Sequence, residues 1–109
     1  MTQFIKYFIA KKNIAMDLRG KGWELLIQSL QKYGGDTVKQ VILWHLEHVF
    51  YINQSNYLDN PEKLVSALYS IYGNAFMIIE KDFCYSLKEI GIMCDTGILS
   101  ALMSLKHKL

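Results

Sequence analysis

Tyr33-Gly34-Gly35-Asp36-Thr37, running straight on into Val38-Lys39-Gln40-Val41-Ile42-Leu43-Trp44-His45-Leu46-Glu47-His48-Val49-Phe50, is the stretch whose reading decides the fold. It holds a helix stop, a helix start and the most apolar helix of the chain. A glycine takes the left-handed conformation at no steric cost, so the Gly34-Gly35 pair can end a preceding helix. Asp36 or Thr37 can cap the next one, and Thr37 with Gln40 fits the capping-box spacing. Val38, Val41, Ile42, Leu46, Val49 and Phe50 then recur at helical intervals, while Leu43 and Trp44 widen the apolar face. So wide a face predicts a central helix, over about 37–50.

The chain of 109 residues is expected to form one domain with a real core. Hydrophobic residues make up 51% and charged residues 20%, which excludes disorder as the main state. A formal net charge of +2 is too small to demand a nucleic-acid partner. The charge is unevenly spread, with Lys6, Lys11, Lys12, Arg19 and Lys21 near the start and Lys106-His107-Lys108 near the end. The two basic ends read either as a solubilising rim, the commoner case, or as a weak footprint for an anionic surface. Cys84 and Cys94 fit neither a disulfide framework nor a C-x₂-C zinc spacing, and their apolar neighbours predict buried thiols in a reducing compartment. The Phe4-Ile5-Lys6-Tyr7-Phe8-Ile9-Ala10 run is too short for a membrane span, is interrupted by a lysine and lacks a cleavage pattern. A cytoplasmic location is the expectation.

Outward from the decisive stretch, residues 3–16 can form an amphipathic helix, with Phe4, Ile5, Phe8 and Ile9 on one side and lysines on the other. It can dock on the core, exchange with a second subunit or lie on a membrane surface. Gly20-Lys21-Gly22 reads as a joint, dividing a basic arm of residues 1–19 from a single helical domain of residues 20–109. Trp23, Leu26, Ile27, Leu30 and Tyr33 predict the helix before the glycine pair. After a polar loop at 53–56, Asp59-Asn60-Pro61-Glu62 predicts a helix start, with Asn60 as cap and proline where its missing N–H does no harm. Leu64, Val65, Leu68, Ile71 and Tyr72 face inward on that helix and Gly73 closes it. Asn74 can cap a helix over 75–90 that carries Phe76, Ile79, Phe83, Leu87 and Ile90, with Gly91 as its stop. Asp95 or Thr96 can begin a last helix with Ile98, Leu102, Leu105 and Leu109 on one face. No run alternates with period two, so the expected fold is all-α: a compact bundle of five or six short helices around the 37–50 helix.

The residues that might carry chemistry do not assemble into a site. His45 and His48 could face the same way, but the pattern is not H-E-x-x-H, and Cys84, Cys94 and His107 lie on later elements. The plainer reading puts His45 partly buried and hydrogen-bonded, and His48 exposed. Glu80 lies four residues from Cys84, and a neighbouring carboxylate raises a thiol pKa, against an activated nucleophile. Tyr51, Tyr57, Tyr69, Tyr72, Tyr85, Phe76 and Phe83 could line a ligand pocket, although aromatics at helical spacing are more often core. Helix-turn-helix DNA reading at Gly34-Gly35 is disfavoured by Val-Ile-Leu-Trp-His-Leu on the second helix. No catalytic residue, cofactor or metal is expected.

Tyr33-Gly34-Gly35-Asp36, Ile42-Leu43-Trp44-His45-Leu46, Asp59-Asn60-Pro61, Leu68 with Ile71-Tyr72-Gly73, and Ile79-Glu80 together resemble a small helical domain of ammonia-oxidising archaea, the Nitrososphaera output domain of the fifth type. The similarity spans residues 21–92. It implies a module at the receiving end of signal transduction and carries over no catalytic set. The expectation is a non-catalytic signalling or regulatory module that acts through protein contacts as a homodimer, the arm and the last helix forming the shared surface, with an unidentified signalling partner. A small-molecule sensor with an aromatic-lined pocket is the alternative, followed by weak nucleic-acid or anionic-membrane binding through the basic ends.

Overall fold

The computed structural model describes residues 18–94 and 96–108. Among them the chain is all helical, with no strand. Helix α1 covers 18–32 of the described residues, and a turn at Tyr33-Gly34 leads into α2, Gly35–His48. A loop then reaches α3, Pro61–Tyr72; a 3₁₀ turn at Gly73–Ala75 leads to α4, Phe76–Glu89; and α5, Ile98–His107, follows. The expected helix over residues 3–16 lies outside the described residues.

The helix ends follow local chemistry where a cap or a glycine is available. Asn60 accepts a hydrogen bond from the backbone N–H of Lys63 at 3.2 Å, with Pro61 at the first helical position, as its sequence predicts. At the end of α4, Ile92 N–H donates to Leu87 O at 2.9 Å and Gly91 N–H to Lys88 O at 3.0 Å, around Gly91 at φ +84°. That is the Schellman arrangement, and its apolar residue Ile92 is buried. Three expected caps do not form. Neither Asp36 nor Thr37 caps α2, whose N-cap is Gly34 without a side-chain hydrogen bond. Asn74 sits inside the 3₁₀ turn, and α4 begins after it with no side-chain cap. Helix α5 begins at Ile98, two residues beyond Thr96, and Ile98 N–H donates to Glu80 Oε2 at 3.2 Å, a cap supplied from α4; Asp95 lies outside the described residues.

The joint expected at Gly20-Lys21-Gly22 is not a break, because α1 runs through it. Gly22 serves close packing instead: a Cβ there would lie 2.5 Å from Leu105 Cδ2 and 2.6 Å from the Tyr57 hydroxyl. Absence of a side chain lets α1 touch α5 and the loop before α3.

The centre of the molecule also differs from expectation. Helix α5 packs against both α3 and α4 and buries Ile98, Ala101, Leu102 and Leu105 between them. Leu64, Ala67 and Leu68 of α3 and Phe76, Ile79, Phe83 and Leu87 of α4 complete that core, which Trp23, Leu26 and Leu30 of α1 join. Helix α2 is peripheral. It buries Ile42 and Leu46 alone, while Val38, Val41 and Val49 are 39%, 57% and 48% exposed. A helix lying on one side of a core buries a stripe, and apolar residues beyond that stripe stay in water.

Candidate functional site

The apolar residues that α2 does not bury share a side. With Ile42 and Leu46 inward, the 3.6-residue turn places Val38, Val41 and Trp44 along one flank of the buried stripe, with His45 and His48 beside them. Trp44 is 58% exposed, its ring centroid 4.6 Å from that of His48 and 6.2 Å from that of His45. Thr37, Gln40, Val41 and Trp44 line a groove of about 290 Å³ on this flank. Asp36 reaches Lys39 at 3.5 Å within one turn, so the charges of the first turn neutralise each other locally. The groove is apolar with polar rims, a surface suited to a hydrophobic side chain of another element.

The second end of the flank is a strained loop. Tyr51 takes φ +59°, where a non-glycine residue is uncommon, and stands 72% exposed. Asn56 holds it there, donating from Nδ2 to Tyr51 O at 2.9 Å, while Ile52 N–H donates to Leu46 O at 2.8 Å. Lys63 lies 5.9 Å from the Tyr51 ring centroid.

The residues singled out by sequence are dispersed. His45 and His48 are both exposed, which corrects the partly buried His45, and among the described residues no three His, Cys, Asp or Glu side chains gather as a metal ion would need. The aromatic set does not converge on one cavity: Tyr57, Phe76 and Phe83 are buried, whereas Tyr51, Tyr69 and Tyr85 are more than half exposed. Tyr57 donates its hydroxyl to Arg19 O at 2.6 Å, and burial pushes that hydroxyl well above the usual tyrosine range. The Lys106 ammonium donates to Asp59 O at 3.3 Å, and α5 buries Ile98, Ala101, Leu102 and Leu105 inside the fold while Leu99 and Met103 stay exposed.

The cysteines are a correction. Cys84 and Cys94 are joined by a disulfide, their Cα atoms 5.6 Å apart. The Schellman turn at Gly91 reverses the chain and returns residue 94 beside α4, a juxtaposition that their spacing in sequence does not announce. Another feature without a local signal is the Asp82 cluster. Asp82 accepts hydrogen bonds from the fully buried Ser29 hydroxyl at 2.7 Å and from Lys32 at 2.9 Å, tying α4 to α1.

No helix among the described residues is long and apolar enough to cross a membrane. Comparison with protein-family models, with curated proteins and with solved structures finds no match.

Proposed function

We propose that this chain is a non-catalytic signalling module, of the kind of the Nitrososphaera output domain, that acts through protein contacts as a homodimer. The observation that carries the reading is the outward flank of α2, where Val38, Val41 and Trp44 stay exposed around an apolar groove, with further apolar side chains exposed at Met77, Ile78 and Tyr85 of α4. Exposed apolar surface of this kind favours association. The family resemblance is consistent with the same use, since its quoted residues fall at the turn into α2, on α2 itself, at the start of α3 and in α4. A cytoplasmic location belongs to the proposal as well. The Cys84–Cys94 disulfide runs against that location, and trapping thiols at lysis decides between them: a pair found reduced supports the cytoplasm, and a disulfide already present before lysis overturns it. Sedimentation of the full chain from low to high micromolar concentration tests the main claim. A dimer mass, reached or approached as concentration rises, is the expected outcome; a monomer throughout overturns it.

A further inference from the structure

We propose that Cys84 and Cys94 form a thiol–disulfide exchange site, in which Cys84 is the sulfur that reacts with a low-molecular-weight thiol or its disulfide and Cys94 is the shielded partner that resolves the mixed disulfide. The two residues differ in access. Cys84 is half-buried on α4, whereas Cys94, in the connection between α4 and α5, is 7% exposed. The bond therefore runs from the surface inward. A thiolate attacks a disulfide in line with the S–S bond, so an incoming group reaches Cys84 from solvent and would reach Cys94 only through the core. Lys81 and Lys88, three residues before and four after Cys84, lie on its side of α4, and both are exposed. Glu80, four residues before it, has its carboxylate turned to α5, where Oε2 accepts from Ile98 N–H at 3.2 Å. An anionic thiol such as glutathione thus meets two ammonium groups beside the point of attack.

The connection between α4 and α5 stays anchored when the bond opens. Ile92 N–H donates to Leu87 O at 2.9 Å and its side chain is buried, Gly91 N–H donates to Lys88 O at 3.0 Å, and Glu80 holds the first N–H of α5. Cys94 Sγ lies 3.2 Å from Gly97 O, so the thiol proton gained on reduction has an acceptor in place and leaves no unpaired group in the interior. Both redox states therefore fit one fold. In reduction, the incoming thiolate attacks Cys84 Sγ, the S–S bond breaks, and Cys94 leaves as a thiolate that takes a proton from the medium. A second thiolate then attacks the sulfur of the bound group, releasing a small-molecule disulfide and the Cys84 thiolate. The protein pair gains two electrons as two small thiols become one disulfide. In the reverse direction the Cys84 thiolate attacks a small-molecule disulfide, and Cys94 displaces the bound group.

The full chain is equilibrated without oxygen in glutathione and glutathione disulfide at a series of ratios, its free thiols are alkylated, and intact mass and far-ultraviolet circular dichroism are recorded. The wild type is expected to pass reversibly between the bonded and the dithiol form with its helix content unchanged. In Cys94→Ala, glutathione disulfide should leave one glutathionyl group on Cys84, about tenfold or more faster than Cys94 reacts in Cys84→Ala, because exchange follows access. Peptide mapping of wild type quenched in acid early in reduction should place the transient glutathionyl group on Cys84, a readout that holds even if a variant fails to fold. The proposal is overturned by a bond that glutathione leaves intact until urea unfolds the chain, by loss of helix on reduction, or by an adduct that forms on Cys94 as fast as on Cys84.

Discussion

Helices α2 and α4 are both fourteen residues long, and they use their apolar residues differently. In α4 Phe76, Ile79, Phe83 and Leu87 follow one line at intervals of three and four, and all four are buried. In α2 the apolar residues spread around the barrel of the helix, and two of them are buried. Spread alone is a poor guide to position: a helix apolar over much of its circumference is either surrounded by its own chain or waiting for another. The core of this molecule lies where single stripes from α3, α4 and α5 converge, and α2 contributes one edge to it.

Truncation separates the two helices most widely. Phe83 is fully buried, so Phe83→Ala should cost about 3–5 kcal/mol by lost transfer and a residual cavity. Val41→Ala on the outward flank of α2 should stay within about 0.5 kcal/mol. Urea denaturation of dilute protein measures both. A cost of several kcal/mol at Val41 would break the comparison, because it would mean that its own chain covers the flank.

Sequence periodicity found the stripes and the strongest punctuation. Gly73, Gly91 and the Asn60-Pro61 pair act where their chemistry requires, because each works on hydrogen bonds within a few residues. The misplaced features depend on distant partners. The cap of α5 comes from Glu80, the partner of Cys84 arrives only after the chain has turned, and Asp82 finds Ser29 and Lys32 across more than forty residues. Gly20-Lys21-Gly22 misled for the same reason: a glycine that opens a hinge and one that admits a neighbouring side chain look alike until the neighbour is known. The outward flank of α2 was visible as apolar residues, but which of them faced the core was not.

The two glycines of α1 sharpen that last point. At Gly22 a methyl group would meet Leu105 and Tyr57, both essentially buried, the latter anchored by its hydrogen bond to Arg19 O. Gly22→Ala should therefore destabilise by about 1–3 kcal/mol through overpacking, in spite of alanine's better helix propensity. At Gly20 the nearest atom to an added Cβ is Gln54 Nε2 at 3.4 Å, an ordinary contact. Gly20→Ala should stabilise by about 0.5–1 kcal/mol. Thermal unfolding of the pair reads the difference, and opposite signs are the expected result.

A smaller contrast lies in the ion pairs of the two helices. Burial pushes the Asp82 carboxyl upward, the largest single influence, but the hydrogen bonds from Lys32 and Ser29 and the lysine charge together outweigh it, leaving the group below its ordinary 3.8. A depressed carboxyl stabilises the fold at pH above its unfolded value, and that contribution is lost as pH falls through the lower folded value. Lys32 is shifted the other way, above 10.5, first by its hydrogen bond to Asp82, so the pair also weakens as pH rises through that raised value. Asp82→Asn should then cost about 1 kcal/mol across the neutral range, with the gap to wild type closing below pH 3.8 and again above 10.5. Asp36, 68% exposed and paired with Lys39 within one turn of α2, offers the counterpart, and Asp36→Asn should cost less than Asp82→Asn at neutral pH. A flat pH dependence for the Asp82 gap would mean that the Ser29 contact, and not the charge on Lys32, holds α4 to α1.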